Sequence, residues 1–312
     1  MDQAEGLRTL MEPSIGKRVS PPSPAWGEEG TSRGKWPRVI AVSSGKGGVG
    51  KTNVVANLAL ALTRLGDKVL VWDADLSLAN LDILLGLTPR YTIEHLLSRE
   101  KSLREILVEG PGGMAILPAS SGVQELADLK EDQKLFLLNE LESLGENLNV
   151  LLIDTGAGIS SNVLYFTMAA EEVIVVVTPE PTSITDAYAL MKVLSNRHQK
   201  RHFAVLVNFA RTEPEAKEVF RKISRAVDRF LGDVSLDYVG FIPFDEKLPA
   251  AVKQQRPVLE IFPQASSSRS FMEVARVLRE KPQRKESHGN LQFFWRYLIQ
   301  CHQPAAQQGG VE

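Results

Sequence analysis

Ser43-Ser44-Gly45-Lys46-Gly47-Gly48-Val49-Gly50-Lys51-Thr52 follows an apolar run, Arg38-Val39-Ile40-Ala41-Val42, and leads into a helical pattern. The spacing is that of a phosphate-binding loop, G-x-x-x-x-G-K-[ST]. Each residue type has a physical reason. Glycines let the backbone curl with positive φ and come close to a ligand with no Cβ in the way. The curl points successive N–H groups inward, and the next helix adds the partial positive charge of its N-terminus. Lys51 then reaches the β and γ phosphates, and Thr52 offers its hydroxyl to Mg²⁺. Lys46 is the unusual member, because holding phosphate from within one subunit does not need a second lysine.

The remainder of the chain is built to carry that loop. It has 312 residues, 43 % of them hydrophobic, and a formal charge of −2. That suits one large α/β domain with appendages. The near-neutral balance gives no global reason to expect nucleic-acid binding. One cysteine, Cys301, excludes disulfides within the chain and a Cys-based zinc or iron–sulfur site within one subunit. A reduced, cytoplasmic setting is expected. No apolar run approaches the length of a transmembrane helix, and the N-terminus, with Asp2 and Glu5, is expected to be no signal peptide.

From Val39 onward apolar strands alternate with amphipathic helices. The strands expected are 38–43, 68–73, 114–117, 149–153, 172–178, 203–208 and 237–241. Val173-Ile174-Val175-Val176-Val177 is apolar throughout, as a strand covered on both faces must be. The fold class is therefore α/β, a P-loop NTPase with a mostly parallel twisted sheet between helix layers. Helices are expected at 51–65, 79–86, 92–98, 101–107, 123–128, 131–145, 160–169, 182–197, 213–230, 246–254 and 268–280. Four regions result: a segment and Pro/Ser/Gly-rich linker over 1–36, the ATPase-type domain over 37–286, a short amphipathic helix over 287–301, and a disordered tail over 302–312.

Three further stretches carry chemistry. Asp73 and Asp75, in Val71-Trp72-Asp73-Ala74-Asp75, close the strand after the loop's helix, where an open α/β sheet forms its ligand crevice. Carboxylates there orient water and support Mg²⁺, although capping or turn formation explains an Asp-x-Asp equally well. Val150-Leu151-Leu152-Ile153-Asp154 is an apolar strand ending in a carboxylate that can hold Mg²⁺ directly or through water. Gly156 and Gly158 after it give the freedom a γ-phosphate switch requires. Asn208, and the segment Pro243-Phe244-Asp245, end two late strands and can present an amide and backbone groups to a base.

Together these residues resemble the MinD branch of the MinD/ParA-type deviant Walker-A ATPases, over about residues 37–280. More narrowly, Asp154-Thr155-Gly156-Ala157-Gly158, Asp73-Ala74-Asp75-Leu76-Ser77-Leu78-Ala79-Asn80-Leu81-Asp82 and the opening Asp2-Gln3-Ala4-Glu5-Gly6-Leu7-Arg8 resemble the FlhG (FleN) branch of flagellar number and placement regulators. The resemblance implies ATP/ADP and Mg²⁺ as ligands, slow ATP hydrolysis, and an ATP-bound homodimer. Lys46 would reach the nucleotide of the other subunit. Gly45, Gly47, Gly48, Val49, Gly50 and Lys51 would cradle phosphates. Thr52 and Asp154 would serve Mg²⁺, Asp75 would position the attacking water and Asp73 would support the metal shell. Asn208, Pro243 and Asp245 would face adenine. The Asp2–Arg8 motif implies an FlhF-type GTPase of the signal-recognition-particle class as partner, beside flagellar switch, basal-body or transcriptional regulator proteins. A leader without a role is the plainer reading of that segment.

Leu291-Gln292-Phe293-Phe294-Trp295-Arg296-Tyr297-Leu298-Ile299-Gln300 is the most aromatic stretch. On a helix, Gln292, Arg296 and Gln300 share one seam, with Leu291, Phe294, Trp295 and Leu298 opposite. Lys281, Arg284, Lys285 and His288 precede it. An interfacial helix over 288–301 on anionic lipid fits, as does a helix docked on the domain or on a partner. The expectation is a cytoplasmic protein reversibly held at the inner face of the membrane. A ParA-like DNA-partitioning ATPase and a MinD-like division-site regulator are the alternatives.

Overall fold

The computed structural model describes residues 37–75, 80–118 and 148–281, with Phe136, Asn139, Glu140 and Leu144 between them. The N-terminal segment, the helix at 123–128, most of that at 131–145, and the helix and tail beyond Lys281 lie outside the described residues.

The order of elements is β1 (Arg38–Ser44), α1 (Lys51–Arg64), β2 (Val69–Ala74), α2 (Leu81–Leu85), α3 (Ile93–Leu97), α4 (Leu103–Ile106), β3 (Val108–Glu109), β4 (Ala115–Leu117) and β5 (Val150–Ala157), then α5 (Ser161–Ala169), β6 (Glu172–Val177), α6 (Pro181–His198), β7 (His202–Ala210), α7 (Glu213–Phe230), β8 (Ser235–Pro243), α8 (Lys247–Val252), α9 (Val258–Ile261) and α10 (Ser266–Glu280). The eight strands form one sheet in the order β3-β4-β2-β5-β1-β6-β7-β8. Every pairing is parallel except β3 with β4.

Both faces of the central strands are apolar, which forces helices onto each. Ile40, Val42, Val71, Leu152, Ile174 and Leu206 pack under α1, α9 and α10. The alternate residues point the other way. Val39, Leu70, Trp72, Leu151 and Ile153 meet α3, α4 and α5, whereas Val173, Val175, Phe203 and Val205 meet α6 and α7. Trp72 sits edge-on to Phe166 with ring centroids 5.1 Å apart. Gly240, at φ +130, lets α10 close on β8: a Cβ there would stand 2.9 Å from Val274 Cγ2.

The expected strands and the helices within the described residues form with bounds shifted by a few residues. The antiparallel β3 was not foreseen, being only two residues long and continuous with the helical pattern of α4. The single-turn α9 after Pro257 was likewise missed. β5 runs to Ala157, so Asp154 lies within the strand and not at its end.

Phe271 is fully buried between α10 and the sheet. Phe271→Ala is expected to cost about 3–5 kcal/mol. In urea the unfolding midpoint falls while the m-value stays unchanged.

Candidate nucleotide site

The loop closes β1 and opens α1. Gly48 and Gly50 have φ of +78° and +86°, a left-handed backbone that strains other residues. Gly45 is required for a different reason. A Cβ on it would lie 2.0 Å from the Asp186 carbonyl carbon, so only glycine lets the loop pass α6. A Cβ on Gly47 or Gly48 would meet nothing within 4 Å, so these two backbones face open space. Ser44 Oγ donates to the Lys46 carbonyl at 2.7 Å, and Gly158 N–H donates to the Ser44 carbonyl at 2.9 Å. The second bond links the segment after β5 to the start of the phosphate loop.

Parallel pairing does the rest. Asp73 of β2 and Asp154 of β5 stand directly opposite in register. Both continue the set of side chains that packs under α1, and they are 2 % and 1 % exposed. Burial, then the neighbouring Asp154 charge, pushes the Asp73 carboxyl up to about 8, against hydrogen bonds from the Leu81 and Asp75 N–H groups. Burial likewise pushes Asp154 up to about 7, although the Thr52 hydroxyl and Lys51 pull it down. Lys51 is itself buried, which lowers its pKa while Asp154 and Asp75 oppose the shift.

The Thr52 hydroxyl lies close enough to Asp154 to favour its charged form, but Asp154 Oδ1 is buried with no hydrogen-bond partner. A buried carboxylate oxygen left in that condition is costly. An oxygen-only set of one carboxylate and one hydroxyl beside a phosphate cradle suits Mg²⁺, which keeps waters and takes few protein ligands. Among the described residues no group of three or more His, Cys, Asp or Glu converges as a metal site, and an ion shared with a triphosphate needs none. Asp75 is the more accessible acid, its Oδ1 3.5 Å from where a Cβ on Gly156 would stand.

The structure brings Lys51, Thr52, Asp73, Asp75 and Asp154 together behind the loop. Four of the expected residues have protein partners that their spacing did not announce. Asp73 accepts from Asp75 N–H at 3.2 Å and Leu81 N–H at 3.3 Å, so its oxygens hold Asp75 and the first residue of α2. Asn208 is buried: its amide donates to the Val49 carbonyl at 2.8 Å and accepts from Phe209 N–H, which fastens β7 to the loop. Asp245 accepts from Ser266 Oγ, Ser267 N–H and Ser267 Oγ at 2.8 to 3.0 Å, forming the cap of α10. Burial pushes its carboxyl up, but these bonds and one from the Lys247 N–H outweigh it and hold it at about 2. Pro243 ends β8 beside it. Lys46 is engaged at the start of α6: Nζ lies 2.7 Å from Glu180 Oε2 and 3.2 Å from Thr182 Oγ1.

Phe209 is a functional candidate that sequence reasoning passed over. Its φ is +60°, unusual for an aromatic residue and worth about 1–3 kcal/mol of strain. The signal for it lies in three dimensions, at an irregularity in the β7–β8 pairing.

A parallel sheet with a phosphate loop after its first strand, paired carboxylates on the two adjoining strands and a second lysine in the loop defines a nucleotide-hydrolysing ATPase. Residues 37–205 match the AAA domain family, AAA_31. The chain is 48 % identical to the antiactivator FleN of Pseudomonas aeruginosa, over 84 % of this chain and 94 % of that one. It is 34 % identical to the flagellum site-determining protein YlxH of Helicobacter pylori, over 78 % and 82 %. The fold matches MinD in the MinC:MinD complex of Aquifex aeolicus with a TM-score of 0.61 at 30 % identity, covering 78 % and 97 %. MinD of Pyrococcus horikoshii complexed with Mg-ADP matches at 0.60 and 26 % identity, covering 78 % and 96 %. The chain belongs to the MinD/ParA-type ATPases, in the group that contains FleN.

The two raised carboxyls set a pH dependence. Their folded pKa values stand above the ordinary 3.8, so the folded state holds protons that the unfolded state releases. This contribution to stability is complete below about pH 4 and is lost as pH rises to 7–8. In EDTA-treated protein, unfolding free energy should fall between about pH 5 and 7, by up to about 1.4 kcal/mol per pH unit for each carboxyl. Asp73→Asn should flatten that slope in urea titrations; an unchanged slope contradicts the assignment.

Proposed function

We propose that this chain is an ATP-driven dimerising switch that regulates flagellar number or placement at the cytoplasmic membrane. The observation that carries the reading is the position of Lys46. Its ammonium is held at the start of α6 by Glu180, in a surface ion pair whose side chains are 39 % and 64 % exposed. Such a pair is worth little and exchanges readily. A second protomer's triphosphate, with its greater charge, is a stronger partner for Lys46 than one carboxylate. The kinship with FleN and YlxH supports the flagellar role.

In this reading Gly47, Gly48 and Gly50 direct N–H groups at the phosphates, and Lys51 neutralises the β–γ bridge. Thr52 and Asp154 would hold Mg²⁺, which spreads the charge developing on the phosphoryl oxygens. Asp75 orients water in line with the γ-phosphorus. The water oxygen bonds to the γ-phosphorus as the bond to the β–γ bridging oxygen breaks, a proton of the water passes to a γ-phosphate oxygen, and ADP and inorganic phosphate leave. Gly158, bonded to the Ser44 carbonyl, lets the switch respond to loss of the γ-phosphate. Dimer and ATP thus stabilise each other, and hydrolysis returns the monomer.

Sedimentation with ATP checks the switch. Lys51→Ala abolishes nucleotide binding, Lys46→Ala binds ATP but stays monomeric, and Asp75→Ala accumulates as an ATP-bound dimer. An Asp75→Ala protein that stays monomeric with ATP rejects the model of the switch.

The segment 288–301 is assigned to anionic lipid, and Asp2–Arg8 to an FlhF-type GTPase. Deleting 288–301 should abolish co-sedimentation with anionic vesicles while the melting temperature stays unchanged; retained binding rejects the anchor. No helix among the described residues is long and apolar enough to cross a membrane.

A further inference from the structure

Phosphate loop and acids fix the direction in which a bound nucleotide lies. Asp154 and Asp73 stand on β5 and β2, to one side of β1, and mark the γ-phosphate and metal end. The nucleoside therefore leaves toward the opposite side, over the ends of β6, β7 and β8. The polar groups expected to meet a base there are already engaged, Asn208 with the loop and Asp245 with α10.

Phe209 is at the same place. In a regular strand it would follow Phe203, Val205 and Val207 into the layer under α6 and α7. The register shift between Asn208 and Ala210, with φ of +60°, turns it out of that alternation. Its ring edge instead reaches the loop: Cζ lies 3.2 Å, and Cε2 3.5 Å, from where a Cβ on Gly50 would stand. The side chain is partly exposed. Phe244, 62 % exposed, is tied alongside by its N–H to the Ala210 carbonyl at 3.0 Å. The Phe209 ring thus stands at the loop, with the backbone of exposed Phe244 fixed to the end of the same strand, and a flat apolar ring is the ligand part such an aromatic shelf suits.

We propose that Phe209 is the shelf on which the purine base stacks, with Phe244 at its outer edge. The inference rests on the site's reading as an ATP site and assigns the base to a residue outside the phosphate motifs. Stacking is tolerant of base identity, so Phe209 contributes affinity and Asn208 links the base end to the loop.

Calorimetric titration of the full chain with Mg²⁺, using ATP and inorganic tripolyphosphate as separate ligands, tests this. Phe209→Ala should weaken ATP at least about tenfold and leave tripolyphosphate unchanged. Phe209→Trp should retain ATP affinity. Phe209→Gly, which relieves the left-handed backbone, should repeat the alanine result and carries the test if the alanine variant melts early. Equal losses for both ligands would show that the ring only props the loop, and unchanged ATP affinity would remove it from the site; either overturns the proposal. A native chain that binds neither ligand overturns the ATP reading itself.

Discussion

One buried lysine and two buried carboxylates, enclosed together at the carboxyl edge of a parallel sheet, set the terms for this molecule. Lys51, Asp73 and Asp154 are each less than a tenth exposed. Charges so placed lose hydration that only partners can replace. Asp73 finds two backbone N–H groups and Lys51 finds two acids, but Asp154 keeps one oxygen without a partner. In the function proposed above, a ligand carrying both cation and anion would complete the arrangement.

The rest of the architecture follows from holding those groups still. Parallel strands aim their carboxyl ends at one edge, so the loop, the acids and the segment after β5 meet without long connections. Apolar residues on both faces of β1, β5 and β6 bury the sheet and stiffen the frame. Polar groups then work as fasteners: Asn208 ties β7 to the loop, Gly158 ties the segment after β5 to β1, and Asp245 holds α10 against the strand end. Left-handed backbone at Gly48, Gly50 and Phe209 gathers around the phosphate loop, where preorganisation is useful, and Arg99, Gln199 and Gln255 adopt it elsewhere.

Much of this was legible in the chain. The phosphate loop is a local motif whose glycines and lysine have no cheaper explanation together, and the continuous valines of β6 announce a doubly covered strand. Asp154 was legible as an acid near a strand end, though the strand continues past it. What could not be read was the use of polar residues across long separations. Asn208 meets Val49 and Asp245 meets Ser267 only after folding, and sequence spacing carries no record of such contacts. The two-residue β3 and the single-turn α9 are too short to show a period. Phe209 looked like one more apolar residue in β7, because its turn depends on the register with β8. Glu180 gave no sign of holding Lys46, since the two are brought together by the loop's passage beside α6.

The central claim is that these acids are kept poised for a cation that arrives with the nucleotide. Titration calorimetry of ATP into the native chain near pH 7, in buffers of differing ionisation enthalpy, with Mg²⁺ or with EDTA, addresses it directly. The account predicts tight binding only with Mg²⁺, accompanied by proton release into the buffer as the raised carboxyls ionise. Equal affinity in EDTA, with heats independent of the buffer, would contradict it.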